Sequence, residues 1–325
     1  MGPSIMAGKL KFTLQDYQTA AIKYRKELLM LPIIGADETL KFMTGRPGIR
    51  YKENVGYMSG TAQFAPYKPK RKTDVDLNLE FRTLETYFGD VVADFEPNSA
   101  ITTLLGAVAA TKGDGQKLAP TAKNVLALIA KGLSENLNNA IWKAKRNAEG
   151  DTTMDLFDGF DTITESEITA GTISAKNGNY MKLTEQITSA SAVSIAKKIL
   201  FSLDPHLRKE TCYLYCTQDF ADKYNEGYLL THAGIPYNNQ YQQTAVEGSS
   251  GKLILCPLVN KEGSKFMQVS PKYNMLYGYD QMGDVESIDV KEFAPFVLSY
   301  IATMFFGVQY ESIDKRRLKV IELPD

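Results

Sequence analysis

Residues 74 to 82 alternate without a break: Val75, Leu77, Leu79 and Phe81 point to one side of an extended chain, and Asp74, Asp76, Asn78, Glu80 and Arg82 to the other. Side chains of a β-strand alternate with a period of two, so this run is a long half-buried strand. A second extended run with Val55, Tyr57, Phe64 and Tyr67 precedes it, and Pro66-Tyr-Lys-Pro-Lys-Arg-Lys72 between the two is rich in turn formers and in base. The pattern predicts a long β-hairpin. A two-stranded ribbon is marginal in water, so it must lie on something. A neighbouring subunit is the economical support; folding back on its own domain is the alternative. The hairpin also carries both signs of charge: Lys68, Lys70, Arg71 and Lys72 at the tip, then seven acids against the single base Arg82 from 74 to 96.

The chain is long enough, at 325 residues, for about two domains with real cores. Its apolar share of 44% and charged share of 23% are those of a globular protein. A net charge of −1 supplies no global field toward DNA or an anionic membrane, so any nucleic-acid contact must be local. The first residues, MGPSIMAGKLKF, lack the apolar core of a signal peptide, and the most apolar stretch, Phe293 to Val308, is too short and interrupted to span a bilayer. Synthesis in a reducing cytoplasm is expected. Cys212, Cys216 and Cys256 agree, being too few for a disulfide framework.

Motifs for chemistry are missing. Neither His206 nor His232 has a partner at metal-binding spacing. Cys212 and Cys216 fall on one face of a strand and read as core. Gly248 to Leu253 fails the phosphate-loop pattern at both ends, and there is no nucleophile elbow or dinucleotide fingerprint. The acids Asp151, Asp155, Asp158, Asp161, Glu165 and Glu167 do not follow a calcium-loop spacing, and Leu156 to Phe160 reads as a strand or turn. No catalytic residue, cofactor or metal site is expected.

Thr13 can cap a first helix that Pro32 stops. The spacing of Leu126, Ile129, Leu133, Leu137, Ile141 and Ala144 predicts a long helix over 120–148, with Gly150 to end it. A helix over 185–202 stops at Asp204-Pro205. Mixed α/β structure follows, with strands at 211–217, 252–258, 265–270, 273–279 and 285–290, a helix over 218–226 closed by Gly227, and a surface loop from Gly234 to Gly251. Phe293 to Val308 and a closing strand over 317–323 must return to a core beside the long helix, which makes the second domain an insertion in the first. The fold class is α+β.

This order of arm, hairpin, long helix, inserted domain and returning chain resembles the tailed-phage major capsid protein of the Hong Kong 97 fold. Thr86-Tyr-Phe-Gly-Asp90 through Phe95-Glu-Pro-Asn98, Asn136 to Trp142, Leu156 to Asp161 and Asn274-Met-Leu-Tyr-Gly-Tyr-Asp280 look like segments of such proteins from phages and prophages of anaerobic gut bacteria. The resemblance covers about residues 50–325. It implies an N-terminal arm over 1–45, an E-loop hairpin over 46–98, a peripheral domain over 99–204 and 285–325 with a spine helix at about 120–148, and an axial domain over 205–284. It further implies self-assembly through hexamers and pentamers into an icosahedral shell in the virion, synthesised in the bacterial host cytoplasm, without membrane. Its partners would be neighbouring capsid subunits, a separate scaffolding protein, a portal, and packaged double-stranded DNA held by non-specific contacts. The hairpin residues Lys68, Lys70, Arg71, Lys72, Val75, Leu77, Leu79 and Phe81 would meet the neighbouring subunit. Lys68, Lys70 and Lys72 also stand where some members carry a cross-linking lysine, but no acceptor is identifiable and no cross-link is expected. The alternatives are an encapsulin-type nanocompartment shell and, in another class, a soluble enzyme using the acidic stretch with His206 or His232.

Overall fold

A computed structural model of the chain describes residues 14–24, 28, 36–61, 66–67, 76–95, 122–231, 245–280, 288–294 and 297–324. In chain order come helices α1 (Leu14–Lys23) and α2 (Asp37–Leu40), strands β1 (Thr44–Pro47), β2 (Lys52–Thr61), β3 (Asp76–Glu85) and β4 (Tyr87–Phe95), and the long helix α3 (Ala122–Lys143). Helix α4 (Phe160–Thr169), strand β5 (Tyr180–Lys182), helices α5 (Ser189–Ser202) and α6 (Pro205–Lys209), strand β6 (Cys212–Thr217) and helix α7 (Gln218–Thr231) follow. Strands β7 (Leu253–Leu258), β8 (Phe266–Ser270), β9 (Met275–Tyr279), β10 (Ile288–Ala294), β11 (Val297–Tyr310) and β12 (Lys319–Glu322) complete the α+β pattern. No helix among the described residues is long and apolar enough to cross a membrane.

The chain divides into two compact units, one of residues 1–36, 88–137 and 281–304, the other of 37–87, 138–280 and 305–325. In the first, β10 pairs antiparallel with β11 through a bulge between Glu292 and Ala294. Strand β4 pairs with β11 and turns Val91, Ala93 and Phe95 inward. Tyr17, Ala20 and Ala21 of α1 close this core with Leu126, Val290, Leu298 and Tyr300, and Tyr17 meets Phe95 edge to face at 5.5 Å. Tyr17, Ala20 and Ala21 thus form the buried side of α1.

The second unit is built on the five-stranded sheet β5-β12-β8-β6-β7. Strand β6 runs parallel to β7 and antiparallel to β8, and β12 lies between β8 and β5. The closing strand is an inner strand of this sheet, with Val320 and Ile321 both fully buried. Helices α5 and α7 pack with Ile195, Ile199, Leu214, Phe220 and Val269 into one core. Gly227, expected to end α7, lies inside it: a Cβ there would come within 2.0 Å of the Ser189 carbonyl oxygen, so this glycine permits close approach of α5 rather than stopping a helix.

Two further differences lie at the end of α3 and in the acidic stretch that follows it. Helix α3 ends at Lys143 rather than near Gly150, because Lys145 N–H donates to the Met154 carbonyl at 2.8 Å, Asn147 N–H to the Asp155 carbonyl at 2.9 Å and Arg146 N–H to Asp158 Oδ1 at 2.8 Å. These bonds draw the chain off the helix axis. The acidic stretch then forms a short 3-10 turn, Thr153–Asp155, and helix α4, which buries Phe160, Asp161 and Thr164.

Candidate assembly interface

Strands β2 and β3 form the expected hairpin, with Lys52 opposite Glu85 at its root and Thr61 opposite Asp76 at the last described pair. Cross-strand partners share a face, so the register sorts the side chains into two rows. Val55 with Arg82, Tyr57 with Glu80 and Glu53 with Leu84 make one row; Met58 with Leu79 and Gly56 with Phe81 make the other. In an ordinary half-buried hairpin the apolar row turns to the core and the polar row to water. Here the order is reversed over residues 57–58 and 79–82. Met58, Leu79 and Phe81 are 62%, 52% and 69% exposed, while Arg82 is largely buried.

What turns the polar row inward is a set of partners in the same unit. Arg82 Nη2 donates to Glu167 Oε1 of α4 at 2.6 Å and to Gln309 Oε1 of β11 at 3.1 Å, and Gln309 Nε2 donates back to the Thr83 carbonyl at 3.2 Å. Ser312 Oγ donates to Glu80 Oε2 at 3.3 Å. The guanidinium of Arg317 lies over the Tyr57 ring, 4.6 Å from its centroid. At the root, Val55 and Leu84 pack with Ile49 and Leu276 in a small apolar cluster. Gly307 of β11 lets the backbone of the hairpin's end come close, since a Cβ there would stand 2.0 Å from the Glu85 carbonyl oxygen.

Glu85 also closes the root electrostatically. Lys52 Nζ lies 2.7 Å from its Oε1, and Tyr87 Oη donates to its Oε2 at 2.8 Å. The hydrogen bond from Lys52, then that from Tyr87, hold the Glu85 carboxyl below the ordinary value of 4.5. Burial, with the hydrogen bond to Glu85 second, pushes the Tyr87 phenol up to about 12.

The same unit holds a buried polar knot. Lys261, fully buried, places Nζ 3.0 Å from Asp161 Oδ1 and 3.8 Å from the centroid of the Trp142 ring. Ser264 Oγ donates to Asp161 Oδ2 at 2.5 Å and Gln268 Nε2 to Asp161 Oδ1 at 2.8 Å. Burial pushes the Lys261 amine below its usual value, and the Asp161 carboxylate opposes the push. The knot joins the end of α3, the start of α4 and the segment before β8, with Trp142, Phe160, Tyr215 and Tyr310 ringed around it.

Four of the six acids singled out from sequence have structural posts. Asp155 bonds Thr152, Asp158 the Arg146 amide, Asp161 Lys261 and Glu167 Arg82. Cys212 and Cys216 are buried in one face of β6, and burial raises both thiols to about 12. His206 is exposed at the surface in α6, and His232 lies outside the described residues. Among the described residues no group of three or more His, Cys, Asp or Glu could hold a metal ion.

Of the residues expected at a subunit contact, Leu79 and Phe81 stand on the exposed row and Leu77 pairs with Gly60 in the same ladder. Lys68, Lys70, Arg71, Lys72 and Val75 lie outside the described residues. Sequence reasoning missed Met58, whose strand has its alternation blurred by Gly56 and Gly60, and missed Arg317, Gln309 and Ser312, which no local spacing links to the hairpin.

No protein-family model matches the sequence, and no curated protein matches it. Solved structures match over nearly the whole chain. A chain of the satellite phage P4 procapsid is similar at a TM-score of 0.57 and 15% identity, covering 91% of this chain and 91% of that one. The capsid of cyanophage A-1(L) is similar at a TM-score of 0.55 and 11% identity, covering 90% of this chain and 92% of that one. The capsid of an empty GTA particle is similar at 0.53 and 11%, covering 89% and 90%. The chain has the fold of tailed-phage major capsid proteins.

Proposed function

We propose that the chain is a major capsid protein that self-assembles into an icosahedral head shell enclosing a phage genome. The observation that carries this reading is the reversed hairpin. Exposed apolar patches mark interaction sites, and a strand held by its polar row with its apolar row in water is a surface made to be covered. A second copy is the fitting cover, since a shell is closed by repeating heterologous contacts between unlike patches of one subunit.

On this reading the hairpin is the E-loop, α3 is the spine helix of a peripheral domain, and residues near 205–284 form the axial domain that meets its copies around symmetry axes. Lys68, Lys70, Arg71 and Lys72 at the tip meet acidic surface of a neighbour, which steers the register of the contact. A separate scaffolding protein, a portal and non-specific DNA contacts on the inner face complete the partners, and the protein resides in the virion.

Sedimentation velocity of the full chain tests the proposal, with and without the phage's scaffolding protein. Capsomers or shells many times the 36.1 kDa of the chain are expected. A monomer under both conditions would overturn it.

A further inference from the structure

Arg317 and Ser312 grip the two members of one cross-strand pair. Arg317 lies over the ring of Tyr57 and Ser312 Oγ bonds Glu80, and Tyr57 and Glu80 face each other across the hairpin. Arg317 is itself held through its side chain and its backbone. Its guanidinium also lies over the ring of Tyr273, 4.4 Å from the centroid, and the Tyr273 hydroxyl bonds Glu210. Its N–H donates to the Asp314 carbonyl at 2.8 Å, and its carbonyl accepts from Ser270 Oγ at 3.0 Å and Asn274 Nδ2 at 3.3 Å. Ser312 is fixed as firmly, its N–H donating to Asn274 Oδ1 at 2.8 Å. Both grips therefore share one buried anchor, Asn274.

We infer that Arg317 is the positioning residue that sets the angle at which the hairpin's apolar row is presented to a neighbouring copy, and so sets the curvature of the shell. The inference rests on the capsid reading above. The geometry supplies the lever: ten residues of β2 at about 3.4 Å each carry the ladder about 30 Å from its root, so a tilt of about 5° at the root moves the far end by about 3 Å. That displacement is about half of a strand spacing. The cluster of Val55 and Leu84, with Arg82 on Glu167 and Gln309, holds the hairpin close to its root, and a ribbon held only there can still tilt. The grip on Tyr57 and Glu80, farther along, converts it into a cantilever. A planar guanidinium stacked on a ring resists tilt in a way a flexible ammonium does not.

The test uses the full chain carrying Arg317→Ala, Tyr57→Ala or Tyr57→Phe. Hydrogen exchange on the unassembled subunit reads the grip directly. Amides of residues 52–61 and 76–85 exchange about threefold to thirtyfold faster in Arg317→Ala and Tyr57→Ala and unchanged in Tyr57→Phe, which keeps the ring. Electron microscopy of the assembled products reads the consequence: a single diameter for wild type and Tyr57→Phe, and mixed diameters or tubes for the two alanine variants. Unchanged exchange in both alanine variants would overturn the grip. Faster exchange with one unaltered diameter would overturn the link to curvature. Failure of the wild-type chain to assemble at all would instead contradict the capsid reading, while the exchange experiment would still decide the grip. Should Arg317→Ala fail to fold, Tyr57→Ala carries the same comparison from a half-buried position on the hairpin itself.

Discussion

Arg82 reaches from the hairpin to Glu167 with its Nη2 2.6 Å from Oε1, and only 15% and 20% of the two side chains remain exposed. The pair binds the polar row of β3 to α4. Because successive strand residues point to opposite faces, holding Arg82 inward obliges Leu79 and Phe81 to face out.

Replacing that outward row with charge should weaken assembly without unfolding the subunit. Burying a Leu or Phe side chain is worth about 1.5–3 kcal/mol, so Leu79→Asp or Phe81→Asp raises the concentration needed for assembly at least about tenfold. Light scattering against concentration reads the shift, and an unchanged helical circular dichroism signal shows α3 intact.

Removing the inward anchor should act on stability instead. Hydrogen bonds to charged groups contribute about 1.5–3 kcal/mol, and partial exposure puts Arg82→Met near the lower end. Glu167→Gln retains an acceptor for Arg82 and should lose less. Urea midpoints of the two variants give the comparison.

The Lys261–Asp161 pair predicts a non-additive result. Asp161→Leu leaves a buried ammonium without its carboxylate and should cost about 3–5 kcal/mol, whereas the double variant Asp161→Leu with Lys261→Met removes both charges and should recover most of that loss. Chemical denaturation of Asp161→Leu, Lys261→Met and the double variant supplies the cycle; a double loss equal to the sum of the two single losses would show that the charges are not coupled.

Much of this architecture is legible in the sequence because it is local. The alternation over 74–82 announces β3, apolar spacing announces α3, and Cys212, Leu214 and Cys216 announce the buried face of β6. The parts that escape are decided far along the chain. Which row of the hairpin faces inward depends on Glu167, Gln309 and Arg317, none near β3 in sequence. Helix α4 hides behind its acids and its β-branched Thr and Ile residues, which favour helix weakly, and is upheld by the burial of Phe160 and Thr164. Gly227 reads as a stop until Ser189 is brought against it.

Acid should loosen the hairpin root. A carboxyl whose pKa is lowered on folding adds stability above its ordinary value of 4.5, and that stability is lost as pH falls from there through the folded value. The urea midpoint of the wild-type protein should therefore drop below pH 4.5, and Glu85→Gln should lessen the drop. An identical pH dependence in the variant would show that Glu85 does not contribute.

A cryo-electron microscopy map of the assembled particle bears most directly on the reversed hairpin. It should show closed shells in which Met58, Leu79 and Phe81 are covered by a neighbouring copy of the chain. Shells in which that row lies open to solvent, or a chain that stays a 36.1 kDa monomer with scaffolding protein supplied, would contradict it.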